Sequence, residues 1–327
     1  MDFALTQTAQ DVQQAVGRWV EKQARKGRTD AWDAARWQSF VSLGLIDKDR
    51  DTLFDRCVGL MEGARAGLPG PVLEAQLALL ADRSGRAQEV LARGGVLSSA
   101  LPGAAGPVLV GWGGVADLVV DQSTGKVVAE AALPSGQFSY PVPHGWLDRV
   151  AASVADAHQV SRWMYGAVLL AGLCEGALEL TSEYVRVREQ FGRTLASFQA
   201  VQFPLAEVKM LADGARFAAL DAVLRVAHGQ PHAGVQSALA WLAATQAAER
   251  VTRVTHQSFG ATGFCYETGL VDLTWAMSWL RLSIGNKGAQ KFLTAARRIG
   301  REERAGQPPH CLVLEGFADV GNPATVG

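Results

Sequence analysis

Cysteine is scarce in this chain. Cys57, Cys174, Cys265 and Cys311 are scattered through 327 residues with no CxxC pair and no metal-ligand spacing, which argues against both a disulfide framework and a zinc site. The thiols read as reduced, and a cytoplasmic location is expected. Charge is also sparse and balanced, with 31 basic against 32 acidic side chains and a formal net charge of −1. That balance excludes the strongly basic surface that nucleic acid or an anionic membrane demands. Met1 to Asp11 shows neither a basic n-region nor an apolar h-region, so no secretory leader is expected. The longest apolar run, Trp163 to Cys174, is too short for a bilayer and reads as a buried helix. Hydrophobic residues nonetheless make up 48% of the chain. The composition is that of a soluble globular protein, large enough for one sizeable core or two to three modest ones.

Three textures follow one another along the chain, with no internal repeat and no low-complexity segment. Residues 1–95 carry apolar residues at helical spacing over Asp11 to Lys26, Ala31 to Leu43, Thr52 to Ala66 and Val72 to Ala81, with Asp30 and Asp51 as candidate N-caps. Residues 96–150 change to short β-prone runs at Val96-Leu97, Val108 to Val110, Leu118 to Val120 and Val127-Val128, separated by Gly, Pro and Ser-Thr-Gly turns; they suffice for a small sheet. Residues 151–304 read as four long helical patterns over Val150 to Arg188, Ala200 to His228, Gly234 to Phe259 and Gly269 to Gly300, as in a four-helix bundle. Residues 305–327, with Pro308, Pro309, Gly316 and Pro323, read as a tail or docking arm. The fold class is therefore mainly α, with a reduced β domain between two helical ones.

The junction of the first two bundle helices is the most informative stretch. Tyr184 to Glu207 reads YVRVREQFGRTLASFQAVQFPLAE and places Arg188, Gln190, Phe191, Gly192 and Gln199 around a helix break. Arginine offers paired donors to a pyrophosphate, phenylalanine a flat surface, and glycine a close backbone approach. A helix C-terminus with dipole-matched cations and a glycine stop accounts for the same residues. The order Arg-Glu-Gln-Phe-Gly, then Phe198-Gln199, then Leu205-Ala206-Glu207 closely resembles the acyl-CoA dehydrogenase family. The order of helices, small sheet and helical bundle is also that family's, so the resemblance extends over most of the chain and is strongest in the last helical domain.

The resemblance implies FAD as cofactor and assigns Arg188, Gln190, Phe191, Gly192 and Gln199 to the ADP half of an FAD whose flavin lies in the adjacent subunit. A second element, His256 to Phe264, is similar to the family's Gln-x-x-Gly-Gly-x-Gly turn. It keeps Gln257 and Gly260 and replaces one glycine by Ala261. Backbone N–H groups of such turns receive pyrophosphates, although Gly-x-x-Gly by itself also just ends helices.

The family's catalytic carboxylate is missing from both places where members carry it. One lies 26 residues before the motif arginine, which is Arg162 here, and a guanidinium is no base at neutral pH. The other belongs to a Tyr-Glu-Gly-Thr motif that falls on Ser283 to Asn286, with Ile284 at the Glu position and Asn286 at the Thr position. The flavin-backing Trp-x-Thr-Asn strand is reduced to Val110 to Asp117 around Trp112, a tryptophan that also reads as an ordinary core residue.

Elements that reach a neighbour's FAD are kept, and those that hold the chain's own flavin and substrate are lost. This pattern resembles the base-lacking subunit of α2β2 acyl-CoA dehydrogenases, several of which act on steroid-derived CoA thioesters in actinobacteria. The implied partner is a homologous subunit carrying the catalytic Glu, with an acyl-CoA as substrate and electron-transfer flavoprotein as candidate acceptor. The rivals are a self-sufficient homo-oligomer with its base relocated to Glu175 or Glu267, and a scaffold without FAD.

Other features have simpler readings. Glu175, Glu179 and Glu183 form a solvated or intersubunit salt-bridge row. His228 and His232 are loop residues. Trp275, Trp279 and Leu282 at helical spacing are core or interface, and Arg297, Arg298, Arg301 and Arg304 complement a helix end.

Overall fold

The computed structural model describes residues 5–24, 32–101, 108–134, 145–147 and 158–304. The N-terminal helices are α1 (Gln7–Ala24), α2 (Ala34–Val41), α3 (Leu53–Ala64), α4 (Val72–Ala81) and α5 (Arg86–Ala92). Asp33 caps α2 by accepting a hydrogen bond from the Arg36 N–H at 3.0 Å. The expected cap Asp30 lies outside the described residues. Asp51 does not cap α3: the helix starts at Leu53 behind Thr52, with no side-chain cap bond. The short α5 was not legible as a helix. It is started by Asp82, whose carboxylate accepts from the N–H groups of Ser84 (2.9 Å) and Ala87 (2.8 Å).

Two small sheets follow. In the first, β1 (Leu97–Ala100) pairs in parallel with β3 (Leu118–Asp121), and β4 (Val127–Ala129) adds to β3 antiparallel with an irregularity at Val119/Val120. In the second, β2 (Val108–Val110) pairs antiparallel with β5 (Gly145–Leu147). Both faces of β1 and β3 are buried, which is why these strands read as continuous apolar or small runs with no alternation.

The bundle is α6 (Gln159–Val187), α7 (Gln199–Ala227), α8 (Ala233–Phe259) and α9 (Leu270–Ile284), extended by α10 (Lys287–Arg304). The expected pattern over Gly269 to Gly300 is therefore broken: Gly285 adopts φ +69°, which only glycine takes without strain, and ends α9. Trp241, near the start of α8, donates to the Gly285 carbonyl at 2.9 Å. Tyr184, near the end of α6, stacks on Phe259 at the end of α8 with ring centroids 4.1 Å apart. Thus α6 and α8 run the same way and α7 returns between them.

Helix α6 is the core helix. It is long and apolar enough to cross a membrane, but 83% of its most apolar stretch is buried inside the fold. Each large apolar side chain so buried stabilises by about 1.5–3 kcal/mol. Two glycines one turn apart, Gly172 and Gly176, bring α6 against the end of α3 so closely that a Cβ at either would collide with the carbonyls of Met61 and Arg65.

Candidate functional site

The junction stretch folds as a two-residue hairpin, β6 (Glu189–Gln190) against β7 (Arg193–Thr194). Its turn residues Phe191 and Gly192 have φ of +56° and +76°, the double left-handed geometry of a type I′ turn. Gly192 satisfies this freely, while Phe191 is strained. The strained ring is 92% exposed and meets Phe198 edge-on at 6.3 Å. Arg193 lies over the other aromatic, 4.0 Å from the Phe198 centroid, and this stack stiffens the hairpin.

The expected ligand-gripping side chains all stand on this end of the molecule. Arg188, Gln190, Gln199 and Gln257 are exposed. Among the described residues the Arg188 guanidinium forms no hydrogen bond or ion pair, while Gln190 donates to the Glu189 carbonyl at 2.8 Å. The turn after α8 lies beside the hairpin's root. Tyr184 stacks on Phe259, and its hydroxyl is 3.4 Å from Thr262 Oγ1. Gly260 sits at φ +62° with nothing near an added Cβ, and Ala261 is exposed. An exposed, donor-rich surface of this kind suits a phosphate-bearing ligand.

The turn is braced from below by His256. Thr274 gives its hydroxyl hydrogen to the carbonyls of its own helix. The Thr274 oxygen therefore accepts from His256 Nε2 at 3.0 Å, which makes the imidazole the Nε2–H tautomer. Burial holds its pKa below the usual histidine value.

The two base positions also come together, at the opposite end of α6. Ile284 packs on Gly166, where an added Cβ would lie 2.5 Å from Ile284 Cδ1, and Gly166 is one helical turn from Arg162. Arg162 is only 4% exposed and donates to Gln122 Oε1. Gln122 in turn donates to Ser99 Oγ at 2.6 Å, so the small sheet anchors the guanidinium.

Beside it, Gly111 of the reduced strand lies directly against the Trp279 ring. Trp279 Nε1–H donates to buried Glu74 at 3.0 Å. Burial raises the Glu74 pKa above the usual carboxylate value, with the Trp279 hydrogen bond opposing. Trp112 is 8% exposed at φ +61° and packs on Trp32 at 5.3 Å, so it is a core residue. Trp279, Glu74 and Arg162 thus pack where the bundle meets the sheet region. Sequence reasoning passed over Glu74, although a carboxylate inside the apolar run Val72 to Ala81 was a signal.

Glu179 and Glu175 of the expected solvated or intersubunit row make ion pairs within the chain, and Glu183 is exposed. Glu179 pairs with Arg65, the residue that follows α3, at 2.5 Å, and Glu175 pairs with Lys209 of α7 at 3.3 Å. Glu267 is exposed on a 3₁₀ turn. Among the described residues no group of three or more His, Cys, Asp or Glu could hold a metal.

Residues 152–297 match the family model described as acyl-CoA dehydrogenase, C-terminal domain. The fold as a whole is that of a complex solved from Mycobacterium tuberculosis, ChsE4–ChsE5, with a TM-score of 0.71 and 23% identity over 94% of this chain and 100% of that one. A Tcur3481–Tcur3483 steroid ACAD variant gives a TM-score of 0.70 with 19% identity, over 90% of this chain and 98% of that one. Helices, small sheet and bundle therefore define an acyl-CoA dehydrogenase fold. In sequence, the probable acyl-CoA dehydrogenase FadE25 of Mycobacterium tuberculosis is 38% identical over 93 residues, 28% of this chain. The chain spans about a quarter of that relative's length, 24%. Residues 152–297 are thus similar to the C-terminal domain of the acyl-CoA dehydrogenase family, whose members are FAD-dependent.

Proposed function

We propose that this chain is a base-lacking, FAD-sharing subunit of a heteromeric acyl-CoA dehydrogenase. Its partner would be a homologous subunit that supplies the catalytic Glu, in an α2β2 assembly acting on an acyl-CoA thioester in the cytoplasm. Domains are assigned as 1–95, 96–150 and 151–304, with 305–327 as a tail. One observation carries the reading. The proposed gripping side chains stand exposed at one end of α6, while the two base positions at the other end hold Arg162, which is buried, and Ile284, which is half-buried and packs on Gly166.

The fit to FAD divides the same way. Arg188 would pair with the pyrophosphate, Gln190, Phe191 and Gln199 would hold the adenosine side, and Gln257 with the Gly260-Ala261 turn would present backbone donors. The packing of Trp279 on Gly111 supports a flavin end held outside this chain. FAD, when bound, supplies the hydride acceptor. This chain's residues bind and orient it across the interface, and proton abstraction falls to the partner.

Likeness in fold to the ChsE4–ChsE5 complex and to a steroid ACAD favours a steroid-derived acyl group and an unlike partner, with electron-transfer flavoprotein as acceptor. A base relocated to Glu175 is disfavoured by distance: it is 13 residues along α6 from Arg162, or about 20 Å at ~1.5 Å per residue.

The test is kcat of the reconstituted complex with its acyl-CoA, measured alongside flavin content. Glu175→Gln, Glu179→Gln and Glu267→Gln are each expected to leave turnover within about tenfold, against the ~100-fold or larger loss from removing a general base. Removing the matching Glu from the partner abolishes turnover with FAD still bound. A large loss from any of the three changes here, with assembly and flavin intact, would place the chemistry in this chain.

A further inference from the structure

A cavity of about 200 Å³ lies where the N-terminal helices meet the bundle, between α1, α3, α6 and α7. It stands apart from both ends of the site described above. Glu175 on its α6 wall is 13 residues from Arg162 and 13 from Arg188, about 20 Å from each at ~1.5 Å per residue. The volume is below the ~300 Å³ at which pockets for drug-sized ligands begin, so it suits a small molecule. One wall is apolar: Leu5 before α1, Val58 and Met61 of α3, and Leu220 of α7 line it, and the last three are buried.

The other walls carry charge. Glu62, only 8% exposed, accepts from Arg65 at 2.8 Å and from Gln13 at 3.1 Å. Arg65 also pairs with Glu179 at 2.5 Å, and Lys209 serves both Glu175 at 3.3 Å and Asp213 at 2.5 Å. Two cations thus face four carboxylates, and this end of the cavity keeps a surplus of negative charge. Arg216 is its counterpart, two turns along α7 from Lys209. It lines the same cavity and is half-buried. Among the described residues it forms no hydrogen bond or ion pair, and its guanidinium carbon is 5.9 Å from the Phe217 ring, at the outer limit of a cation–π contact. Arg65 leaves a donor unmet as well, because its Nε–H is buried with no acceptor among the described residues. Buried donors without partners are costly, and an acceptor on a ligand relieves them.

A bare anion would satisfy Arg216 but meet the surplus of carboxylates, and a bare cation would do the reverse. A dipolar ligand suits both ends, and an apolar side chain on it suits the remaining wall. We infer that this cavity binds a free α-amino acid with an aliphatic side chain. The ligand carboxylate takes the Arg216 guanidinium, which offers paired donors. The ammonium faces Glu175 and Glu62, and the side chain covers Val58, Met61 and Leu220. Because α1 and α3 belong to the N-terminal helices and α6 and α7 to the bundle, an occupied cavity ties the two together, and binding stabilises the fold. The site does not depend on where FAD is held.

The experiment titrates the full chain with L-leucine by calorimetry and follows Tm in parallel. Leucine is expected to bind with a Kd of about 1 mM or below and to raise Tm as its concentration passes that value. Two analogues separate its charges: isocaproate lacks the ammonium and isoamylamine lacks the carboxylate. Each is expected to bind at least ~10-fold more weakly, the loss that follows from removing one charge-assisted contact. Arg216→Gln removes a side chain without an intrachain hydrogen bond, so the Tm without ligand is expected to stay unchanged while leucine binding weakens by ~10-fold or more. Arg216→Lys restores binding only in part, because it keeps the charge without the planar fork. No heat and no Tm shift at about ten times that Kd, isocaproate binding as tightly as leucine, or an Arg216→Gln variant that binds leucine unchanged would each overturn the inference.

Discussion

Glu74 is the residue whose chemistry is most constrained by its surroundings. It is buried and accepts from Trp279 Nε1, and burial lifts its folded-state pKa. The folded protein therefore holds this proton more tightly than the unfolded chain does. The group's stabilisation is full below the unfolded carboxylate pKa and falls as pH rises towards the higher folded one. Glu74→Gln keeps the acceptor for Trp279 and removes the ionisation. Its Tm is expected to equal or exceed that of the wild type at pH 7, with the difference shrinking towards pH 4. A pH-independent loss of Tm would mean that the charged carboxylate itself is required.

Arg188 is the opposite case, an exposed guanidinium without a hydrogen-bond or ion-pair partner among the described residues. If it grips the pyrophosphate, Arg188→Ala removes a charge-assisted contact of about 1.5–3 kcal/mol. This corresponds to roughly 10- to 100-fold weaker FAD retention. Lysine restores it only in part because it lacks the planar fork. Flavin occupancy of the complex after dialysis reads the effect, and full occupancy in the alanine variant would make Arg188 merely a helix-end cation.

At the scale of elements, the close packing of α6 on α3 is decided by Gly172 and Gly176. Gly172→Ala would force a methyl group towards the Met61 carbonyl. Backbone moves less readily than a side-chain tip, so the cost is expected at about 1–3 kcal/mol or more, read as a lower midpoint in urea with an unchanged slope. The long helices were legible in the sequence because each buries one face and so repeats its apolar residues at helical spacing: α4, α7 and α8 fall within a residue of their expected limits. What escaped was decided by contacts distant in sequence or by too short a signal. Helix α5 has 7 residues, too few for periodicity to show. The division between α9 and α10 rests on one glycine with a positive φ. The Glu175 and Glu179 partners lie outside α6, so spacing along α6 alone could not separate an internal bridge from an external one.

The site was legible as residue types in order, but not as a place. The resemblance to the family singled out Arg188, Gln190, Gln199 and Gln257, together with Arg162 and Ile284 at the base positions. Only the fold shows that the first group stands open at one end of α6 and the second is packed at the other. Nothing local in the sequence announces that Gln122 reaches Arg162 across 40 positions, or that Trp279 reaches Glu74 across 205.

At the scale of the whole molecule, the proposed function is that of half a cofactor site: a surface to grip the phosphate side of FAD, with flavin and base left to the partner. On that proposal the chain completes its function only beside another. Flavin content measured against chain stoichiometry tests this most directly, with the chain purified by itself and co-expressed with the homologous subunit that carries the Glu. The account predicts a colourless, inactive protein alone and a yellow, active complex with one FAD per unlike pair. A yellow preparation of this chain alone that turns over an acyl-CoA would contradict it.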